Sequence, residues 1–544
     1  MLQFDDNQKC CSDLFTEETE LKRDLGLLET ISIVIGRIIG SGIFRTPGPI
    51  MVLVMSTSLF GFVWVLGGLA TIFGAVCYAE LVAMMPKSGG PYVYLKAAYP
   101  PVWTFLRGWA MFFVSETASI VAVALVFSEY LSSLLKIFFA VELDKVTIMV
   151  IALIVIWLLT AANMFGVLLS GWIQNTISLI KVAAVGGIIG ISFVSQGNWS
   201  HFSSPLWPEG FSWETVLAIG AAMRYAFFAF SGWEGATYVA EEVKNPRRNL
   251  PLSLFLGIGG VMLLYLGANT AYLYQLSPTS IATSKGVAVD AMKTAIGSTG
   301  GILIAIAVMI NTFGNVSTQI LCKARTWQAM AHDGLFFSKL SAIHPKYKTP
   351  NKALTAQGLW ATVLLVAATF APIIQTDTIV SNIQIKESFN SFELKCEVKN
   401  PYKEKVITII KNSGSMKSIR VHKKTSIFIA TLKEKKKDET VKKLTNLGRK
   451  SAYEVIIDFF SGTSIIFNIM TFAAVFVLRR KFPEVKRPYK AWLYPYSLIV
   501  ILVIYIAYFI LTLLTAFWPT VIGLLFTSTG LIYYYKVAKN RLIK

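Results

Sequence analysis

The chain has 544 residues, of which 54% are hydrophobic and 15% are charged, and its formal net charge at pH 7 is +20. Soluble domains carry about 25% charged residues, so this composition excludes an ordinary soluble protein. An excess of positive charge can indicate a nucleic-acid partner. Here the basic residues lie in loops between long apolar stretches, which indicates a membrane topology and predicts no nucleic-acid binding.

Twelve apolar stretches are long enough to cross a bilayer, because a hydrocarbon core of about 30 Å requires about 20 residues of helix. Their approximate limits are 27–50, 56–84, 104–133, 146–167, 172–195, 213–240, 251–275, 299–330, 353–373, 454–479, 493–515 and 516–536. Twelve spans leave little room for a soluble catalytic domain. The sequence therefore predicts an all-α membrane protein, surrounded by lipid, whose function lies within the membrane.

The loops that follow spans 6, 8, 10 and 12 are rich in lysine and arginine, whereas the alternate loops are poor in them with one exception. Basic residues in short loops mark the cytoplasmic side, so both termini are predicted to be cytoplasmic. Residues 1–24 form a polar cytoplasmic tail and not a cleavable signal, because the first apolar stretch is too long for one. Spans 1–9 then occupy 25–375, and spans 10–12 with a short cytoplasmic tail occupy 451–544.

The exception is the segment 376–450 between spans 9 and 10, which holds 18 Lys and Arg against 8 Asp and Glu. The topology puts this segment outside the cell, and loops longer than about 60 residues translocate largely regardless of charge. Alternating patterns at 392–398 and 418–421, and an apolar run at 425–432, predict strands. We expect a small external β-rich domain, either a docking module or a tolerated insertion.

Neither metal nor redox chemistry is indicated by the cysteines, which are Cys10, Cys11, Cys77, Cys322 and Cys396. The four histidines have no metal partner at useful spacing, and the chain contains no GxxxxGK phosphate loop. We therefore predict no metal, no cofactor, no catalytic residues and no enzymatic activity.

Glycine interrupts two spans, span 1 at 39–44 (IGSGIF) and span 6 at 228–235 (FAFSGWEG). Glycine adopts backbone conformations that a helix does not use, and non-helical backbone at membrane depth survives only where it is buried in protein or lines a cavity. Glycine-interrupted spans at corresponding positions of two five-helix halves indicate a transporter binding site. Taken alone, the Gly-Ser-Gly sequence also suits a helix-packing face of small residues.

The ends of interrupted helices have opposite polarity. A helix start presents unpaired N–H groups that suit a carboxylate, and a helix end presents unpaired carbonyl groups that suit an ammonium group. A zwitterion therefore fits between two broken helices, and Ser41 can add a hydroxyl group to the carboxylate site.

Four long segments and a basic motif carry a family resemblance. They are IIGSGIFRTPG (38–48), CYAELVAMMPKSGGPYVYL (77–95), FSGWEGATYVAEEVKNPRRNLP (230–251), the Ala-Arg of 324–325 with HDGLFFSKLSAIHPKYKTPNKAL (332–354), and RRKFPEVKRPYKAWLYP (479–495). The chain resembles the amino acid–polyamine–organocation superfamily, and in particular its L-type amino acid transporter branch, including bacterial permeases. The resemblance covers nearly all of the chain except 1–24 and 376–450. It implies a five-plus-five inverted-repeat fold with discontinuous helices 1 and 6, in which helices 1, 2, 6 and 7 form a moving bundle.

The resemblance also implies which residues bind the substrate. The segments that hold the amino acid backbone are expected to be Gly40, Ser41, Gly42 and Ile43 in helix 1, and Phe230, Ser231, Gly232 and Trp233 in helix 6. Phe228 matches an aromatic gate that closes over the substrate.

Two ionisable residues are candidates for coupling. Lys181 in span 5 matches a lysine that stands beside helix 1, where sodium binds in sodium-coupled relatives of the fold, and a tethered ammonium there predicts sodium-independent transport. A structural, permanently paired lysine is the alternative. Glu234 directly follows the second break and could accept a proton, or could serve only as a capping or packing residue.

Glu116 lies mid-span in helix 3, where an ionisable residue costs about 2.5–3.5 kcal/mol on insertion scales and so requires a reason. An acid at this position could favour a cationic substrate side chain, whereas pairing with Arg37 in helix 1 would neutralise it. Arg37 and Arg224 are unusual for the family, and the sequence offers no account of Arg224.

Animal members of this branch join a heavy subunit by a disulfide from the loop between spans 3 and 4. That loop, at about 134–146, has no cysteine here. We therefore expect a stand-alone protein, monomer or homodimer, in a plasma membrane of the bacterial inner-membrane type.

The leading hypothesis is a sodium-independent amino acid exchanger that alternates access by rocking a helix bundle. The second is a proton-coupled amino acid or polyamine symporter, which requires Glu234 or Glu116 to titrate. A distant third is a non-transporting amino acid sensor that signals through 376–450.

Overall fold

The computed structural model describes residues 12–17, 19, 23–165, 171–203, 206–207, 212–347, 349–370, 380–388, 391–398, 416–422, 427–433 and 451–538. These residues are helical apart from loops and one small sheet. The helices of the first half are α1 (Leu27–Ile38), α2 (Gly42–Arg45), α3 (Pro47–Val54), α4 (Thr57–Met84), α5 (Pro91–Ala98), α6 (Pro101–Ala110), α7 (Glu116–Phe139), α8 (Lys145–Met164), α9 (Gly171–Val194), α10 (Trp213–Ala229) and α11 (Pro246–Gln275).

The helices of the second half are α12 (Pro278–Thr283), α13 (Val287–His332), α14 (Asn351–Phe370), α15 (Ala452–Lys481), α16 (Tyr496–Thr515) and α17 (Phe517–Tyr533). Short 3₁₀ helices span Ser12–Phe15, Trp199–Ser203, Trp233–Glu242 and Ser338–Ser341, and π turns span Met111–Ser115 and Tyr534–Ala538. Helix α13 is bent near its start, where Ile296 and Gly297 leave helical backbone angles.

Ten helices in the described residues are long and apolar enough to cross a membrane. They are Leu27–Arg45, Thr57–Met84, Pro101–Phe139, Lys145–Met164, Trp213–Glu242, Pro246–Gln275, Val287–His332, Asn351–Phe370, Ala452–Lys481 and Tyr496–Thr515. Each coincides with a predicted span, and helices α9 and α17 occupy the other two predicted segments. A multi-pass, all-helical membrane region is therefore present.

Local sequence signals fix where several helices begin. The Asp144 side chain accepts hydrogen bonds from the first backbone N–H groups of α8. Ser212 and Ser451 form capping boxes at α10 and α15, in which side chains and backbone N–H groups of the first turn satisfy one another. Helices α5, α6 and α11 begin with proline, whose missing N–H group would have been unpaired at that position in any case.

Helices α6 and α7 form one long span with a π turn in its middle. The N–H group of Glu116 donates to the carbonyl of Met111, and the Thr117 hydroxyl donates to the carbonyl of Phe112 at 2.7 Å. The backbone bond from Glu116 connects residues five positions apart, whereas an α-helix connects residues four apart. The turn therefore holds one residue more than the helix on either side of it.

The membrane helices pack in two groups. Helix α11 lies along α4 and α1, and α4 also contacts α10, which gives one group of four. Helix α13 lies along α7, α8 and α9, and α14 packs against α7 and α8, which gives a second group. The two broken helices belong to the first group, and α9 contacts both groups.

A four-stranded antiparallel sheet forms between α14 and α15. Its strands are β1 (Val380–Ser388), β2 (Ser391–Val398), β3 (Met416–His422) and β4 (Ile427–Lys433), in the order β1-β2-β4-β3. Strands β2 and β3 cover the predicted segments 392–398 and 418–421, and β4 overlaps the predicted segment 425–432, of which 425–426 lie outside the described residues. Strand β1 lies in a stretch for which no strand was predicted. In the register, Ala430 of β4 pairs with Leu394 on one side and with Ile419 on the other.

The structure supplies an account of Arg224. Its Nε atom lies 2.8 Å from Oδ1 of Asp458, and the two side chains are 2% and 0% exposed. The guanidinium group also donates to the hydroxyl group of Thr515. The ion pair therefore joins α10 to α15 inside the membrane region, and the Thr515 contact adds α16.

We expect the single variants Arg224→Met and Asp458→Leu each to lose about 3–5 kcal/mol of unfolding free energy, because each leaves one buried charge unpaired. The double variant should lose much less than the sum of the two. Thermal unfolding of the detergent-purified protein measures this. The exposed pair Lys136–Glu142, at 2.9 Å, is the control, and Lys136→Met should cost no more than about 1 kcal/mol. Additive effects of the two buried substitutions would contradict the coupling.

Candidate functional site

The first break follows a tight turn at the end of α1. Ile39 has φ −70° and ψ 85°, and the N–H group of Gly40 donates to the carbonyl of Ile38 at 2.7 Å. These features define an inverse γ-turn. The helix resumes at Gly42 as α2, and the first N–H groups of this new helix have no acceptor within it. These N–H groups belong to Gly42, Ile43 and Phe44.

The second break follows α10. The N–H group of Ser231 donates to the carbonyl of Phe228 at 3.1 Å, and Gly232 adopts the left-handed conformation with φ +92°. The N–H group of Gly235 then donates to the carbonyl of Gly232 at 2.9 Å, which starts the 3₁₀ helix. An L-residue at position 232 would be strained, so glycine is what permits the chain to turn there.

The two breaks lie against each other. A Cβ atom on Gly42 would stand 2.4 Å from the Cα atom of Ala229, and one on Gly232 would stand 2.9 Å from the carbonyl oxygen of Arg37. Both neighbours are backbone atoms, which cannot move aside as a flexible side chain can. The glycines therefore allow the backbones of helices α1–α2 and α10 to approach directly.

Side chains from other helices satisfy the carbonyl groups that the first break leaves free. The Lys181 ammonium group of α9 donates to the carbonyl of Gly36 at 2.7 Å, and the Asn311 amide of α13 donates to the carbonyl of Gly40 at 3.3 Å. The Tyr265 hydroxyl group of α11 lies 3.0 Å from the carbonyl oxygen of Ile38 and 3.1 Å from that of Ala229. Tyr265, which the sequence analysis missed, thus connects both breaks.

A cavity opens beside the two breaks. Most of the predicted site residues line it, and these are Gly40, Ser41, Gly42, Glu116, Lys181, Phe228, Ser231, Gly232, Trp233 and Glu234. Two predicted residues do not line it. Ile43 is fully buried elsewhere, and the Phe230 ring packs between Trp64 and Tyr265, with ring centroids 6.1 and 5.1 Å away.

A row of polar side chains on α13 runs along the cavity. The Gln319 amide donates to Asn315 Oδ1 at 2.6 Å, and the Lys323 ammonium group donates to Gln319 Oε1 at 2.6 Å. Lys323 also contacts the Glu116 carboxylate at 2.5 Å. Asn315, Gln319 and Lys323 are four residues apart in span 8, and this spacing is the sequence signal for the row.

The Lys323 contact identifies the ion-pair partner of Glu116. Glu116 pairs with Lys323, not with Arg37 as one hypothesis proposed. The Arg37 guanidinium carbon lies 5.4 Å from the centroid of the Tyr238 ring.

Arg107, which the sequence analysis also missed, lines the same cavity. In the described residues, no group of three or more His, Cys, Asp or Glu side chains is arranged to hold a metal ion.

Contacts among α2, α7, α10 and α15 lie next to Phe228, which lines the cavity. The Arg45 guanidinium group lies 2.6 Å from the Glu129 carboxylate and 5.1 Å from the centroid of the Tyr453 ring. The Tyr130 hydroxyl group donates to the carbonyl of Phe44 at 2.7 Å. Phe228 stands edge-on to the ring of Tyr453, with ring centroids 6.0 Å apart. An ion pair, a hydrogen bond and an aromatic contact therefore join the broken helices to α7 and α15 here.

Charged contacts also join helices on the opposite side of the breaks. The Arg479 guanidinium group donates to both oxygens of the Glu80 carboxylate at 2.8 and 2.6 Å, which connects α15 to α4. Glu241, at the end of the 3₁₀ helix, lies 3.8 Å from Lys87 and accepts a hydrogen bond from the backbone of Ser88.

Comparison with known proteins assigns the family. A family model described as amino acid permease matches residues 25–538. The chain belongs to the amino acid permease family. This family is part of the amino acid–polyamine–organocation superfamily that the sequence motifs indicated.

Curated relatives of this permease are amino acid transporters. The b(0,+)-type amino acid transporter 1 of Mus musculus is 30% identical over 363 residues, which cover 66% of this chain and 73% of the relative. The Asc-type amino acid transporter 1 of Homo sapiens is 32% identical over 364 residues, covering 66% and 68%. The large neutral amino acids transporter small subunit 2 of Homo sapiens is 33% identical over 351 residues, covering 64% and 65%.

The close approach of the breaks predicts that Gly42→Ala removes amino acid binding by the permease and destabilises it, because the added Cβ atom meets the backbone of Ala229. Gly61→Ala in α4 is the matched control, since nothing lies within 4 Å of a Cβ atom there. That change should be neutral or stabilise the helix by up to about 1 kcal/mol. Thermal unfolding with and without amino acids measures both effects. Unchanged binding and stability in Gly42→Ala would contradict the description of the site.

Proposed function

We propose that this permease is a sodium-independent amino acid exchanger that works by rocking a helix bundle. The observation that carries the proposal is the pair of adjacent helix breaks at one cavity. The N–H groups at the start of α2 suit a carboxylate, and the carbonyl groups at the ends of α1 and α10 suit an ammonium group. An α-amino acid carries both groups on one carbon atom, and the names of the curated relatives describe amino acid transporters.

Sodium independence is supported by the position of Lys181. The residue is 3% exposed, and its ammonium group donates to the carbonyl of Gly36 in the last turn of α1. A tethered ammonium group bonded to this carbonyl would provide the positive charge that a sodium ion otherwise brings to the end of a broken helix. Transport then has no need of a sodium gradient.

Rocking is supported by the two packing groups and by the contacts that join the broken helices and α4 to α7 and α15. The group α1, α4, α10 and α11 contains both breaks, and the second group contains α7, α8, α9, α13 and α14. Arg45–Glu129 and Arg224–Asp458 connect the broken helices to α7 and α15 on one side, and Glu80–Arg479 connects α4 to α15 on the other. Alternating access would break and re-form such contacts on the two sides in turn.

The remaining architecture is part of the same proposal. It has twelve spans in a five-plus-five inverted repeat, a plasma membrane location, and cytoplasmic termini. The sheet of 376–450 lies outside the cell. The loop between α7 and α8 carries no cysteine, so the permease works without a disulfide-linked heavy subunit.

Exchange predicts that labelled amino acid enters proteoliposomes only when they contain unlabelled amino acid, at the same rate in sodium and in choline buffer. Entry into empty vesicles at an equal rate would overturn exchange, and no entry at all would overturn transport.

Glu234 lines the cavity directly after the second break, which favours proton symport as the second candidate. That candidate predicts uptake driven by an imposed pH gradient and lost in Glu234→Gln, with the exposed Glu214→Gln as control.

We expect Lys181→Ala to lower the exchange rate about 10- to 100-fold, because the variant loses one hydrogen bond from a charged donor at the end of α1. Lys293 is an exposed lysine on α13, and Lys293→Ala should leave the exchange rate unchanged. The variant is assayed by exchange in proteoliposomes in both sodium and choline buffer. Full activity of Lys181→Ala in choline buffer would show that the lysine is not the substitute for sodium.

A further inference from the structure

Arg107 on α6 is a buried arginine that lines the cavity. Its side chain is 6% exposed, and its Nε atom makes no hydrogen bond within the part of the chain that the structure describes. The guanidinium carbon lies 5.7 Å from the centroid of the Phe467 ring, and the residue lines the cavity beside the two breaks. No ion pair within 4.0 Å joins it to a described carboxylate.

Such an arrangement is costly without a ligand. A buried charge that loses its partner typically destabilises a protein by several kcal/mol, and ionisable groups at membrane depth are kept where they serve a function. The guanidinium group is planar and presents paired N–H donors that match the two oxygens of a carboxylate. An aromatic face on one side, here Phe467, leaves the edge of the group with its N–H donors free to receive such a partner.

The charges around the cavity are unequal. Six ionisable side chains of lysine, arginine or glutamate line it: the cations Arg37, Arg107, Lys181 and Lys323, and the carboxylates of Glu116 and Glu234. Lys323 and Glu116 neutralise each other at 2.5 Å, and Lys181 bonds to a backbone carbonyl. A zwitterion with an uncharged side chain leaves the excess positive charge unchanged, whereas a substrate with a second carboxylate reduces it by one.

We propose that Arg107 binds the side-chain carboxylate of a dicarboxylic amino acid, so that aspartate and glutamate are the preferred substrate class of this permease. This inference rests on the proposed function, because the α-carboxylate and ammonium groups occupy the two breaks. Polar groups elsewhere on the cavity wall, such as Ser115, Ser119 and Gln319, also suit a polar side chain. Glu116 does not select a cationic side chain, because Lys323 already neutralises it.

Binding to the full-length, detergent-purified protein tests the proposal, with glutamate, aspartate, leucine and arginine as separate ligands in a thermal-shift titration. We expect the acidic amino acids to bind with the lowest Kd. In Arg107→Gln, glutamate binding should weaken about 10- to 100-fold, the effect of losing a charged, bidentate contact, and leucine binding should weaken much less. Arg107→Lys should be intermediate, because lysine keeps the charge but not the planar fork. The exposed Arg480→Gln is the control.

The possible failures are distinct. If leucine or arginine binds to the wild type and the acidic amino acids do not, the proposal for Arg107 is overturned and the proposed function stands. If Arg107→Gln weakens glutamate and leucine equally, Arg107 has a structural role and the proposal is again overturned. If none of the amino acids binds, the proposed function itself fails. The wild-type order of Kd values decides the substrate class even if Arg107→Gln does not fold.

Discussion

The interior of a bilayer offers no water to hydrogen-bond a free backbone group, and each unsatisfied group there costs several kcal/mol. The permease nevertheless interrupts two helices in the apolar region, so other parts of the chain must supply the missing partners. Lys181, Tyr265 and Asn311 come from α9, α11 and α13 and reach carbonyl groups next to the breaks. These long-range bonds to the ends of α1 and α10 make the breaks tolerable, and the groups that stay free are the ones available to a ligand.

The same constraint explains the other polar contacts between helices. Arg45–Glu129, Glu116–Lys323 and Arg224–Asp458 each join two different helices, and in each pair at least one side chain is less than 10% exposed. A buried pair of this kind gives little net stability compared with an apolar pair, but it is costly to break by removing one partner. Such pairs therefore favour one arrangement of neighbouring helices over alternatives of similar apolar packing. The pairs next to the cavity also fix the local charge that a substrate meets.

Much of the fold could be predicted from the sequence, because the patterns that indicate helices, helix breaks and strands are local. Apolar length indicated the spans, and the glycines at 40, 42 and 232 marked the breaks. Alternation indicated β2, β3 and β4, although β1 was missed. The identity of contact partners was harder to predict, because it depends on how each helix is rotated about its axis. Glu116 pairs with Lys323 and not with Arg37, and Phe230 turns toward Trp64 and not toward the cavity. Tyr265 and Arg107 gave no pattern that distinguishes them from the other aromatic and basic residues of the spans.

The π turn at Met111–Ser115 has a geometric consequence for the cavity. In a regular α-helix each residue advances the helix by about 100°, so nine residues would place Arg107 and Glu116 on roughly opposite faces. The extra residue in the π turn removes about 100° of that rotation, and both side chains then lie on the wall of one cavity. The one extra residue therefore rotates the two halves of the span relative to each other about the helix axis. It brings a charged position of the first half of the helix into register with the polar face of the second half, at the point where the substrate is expected to bind.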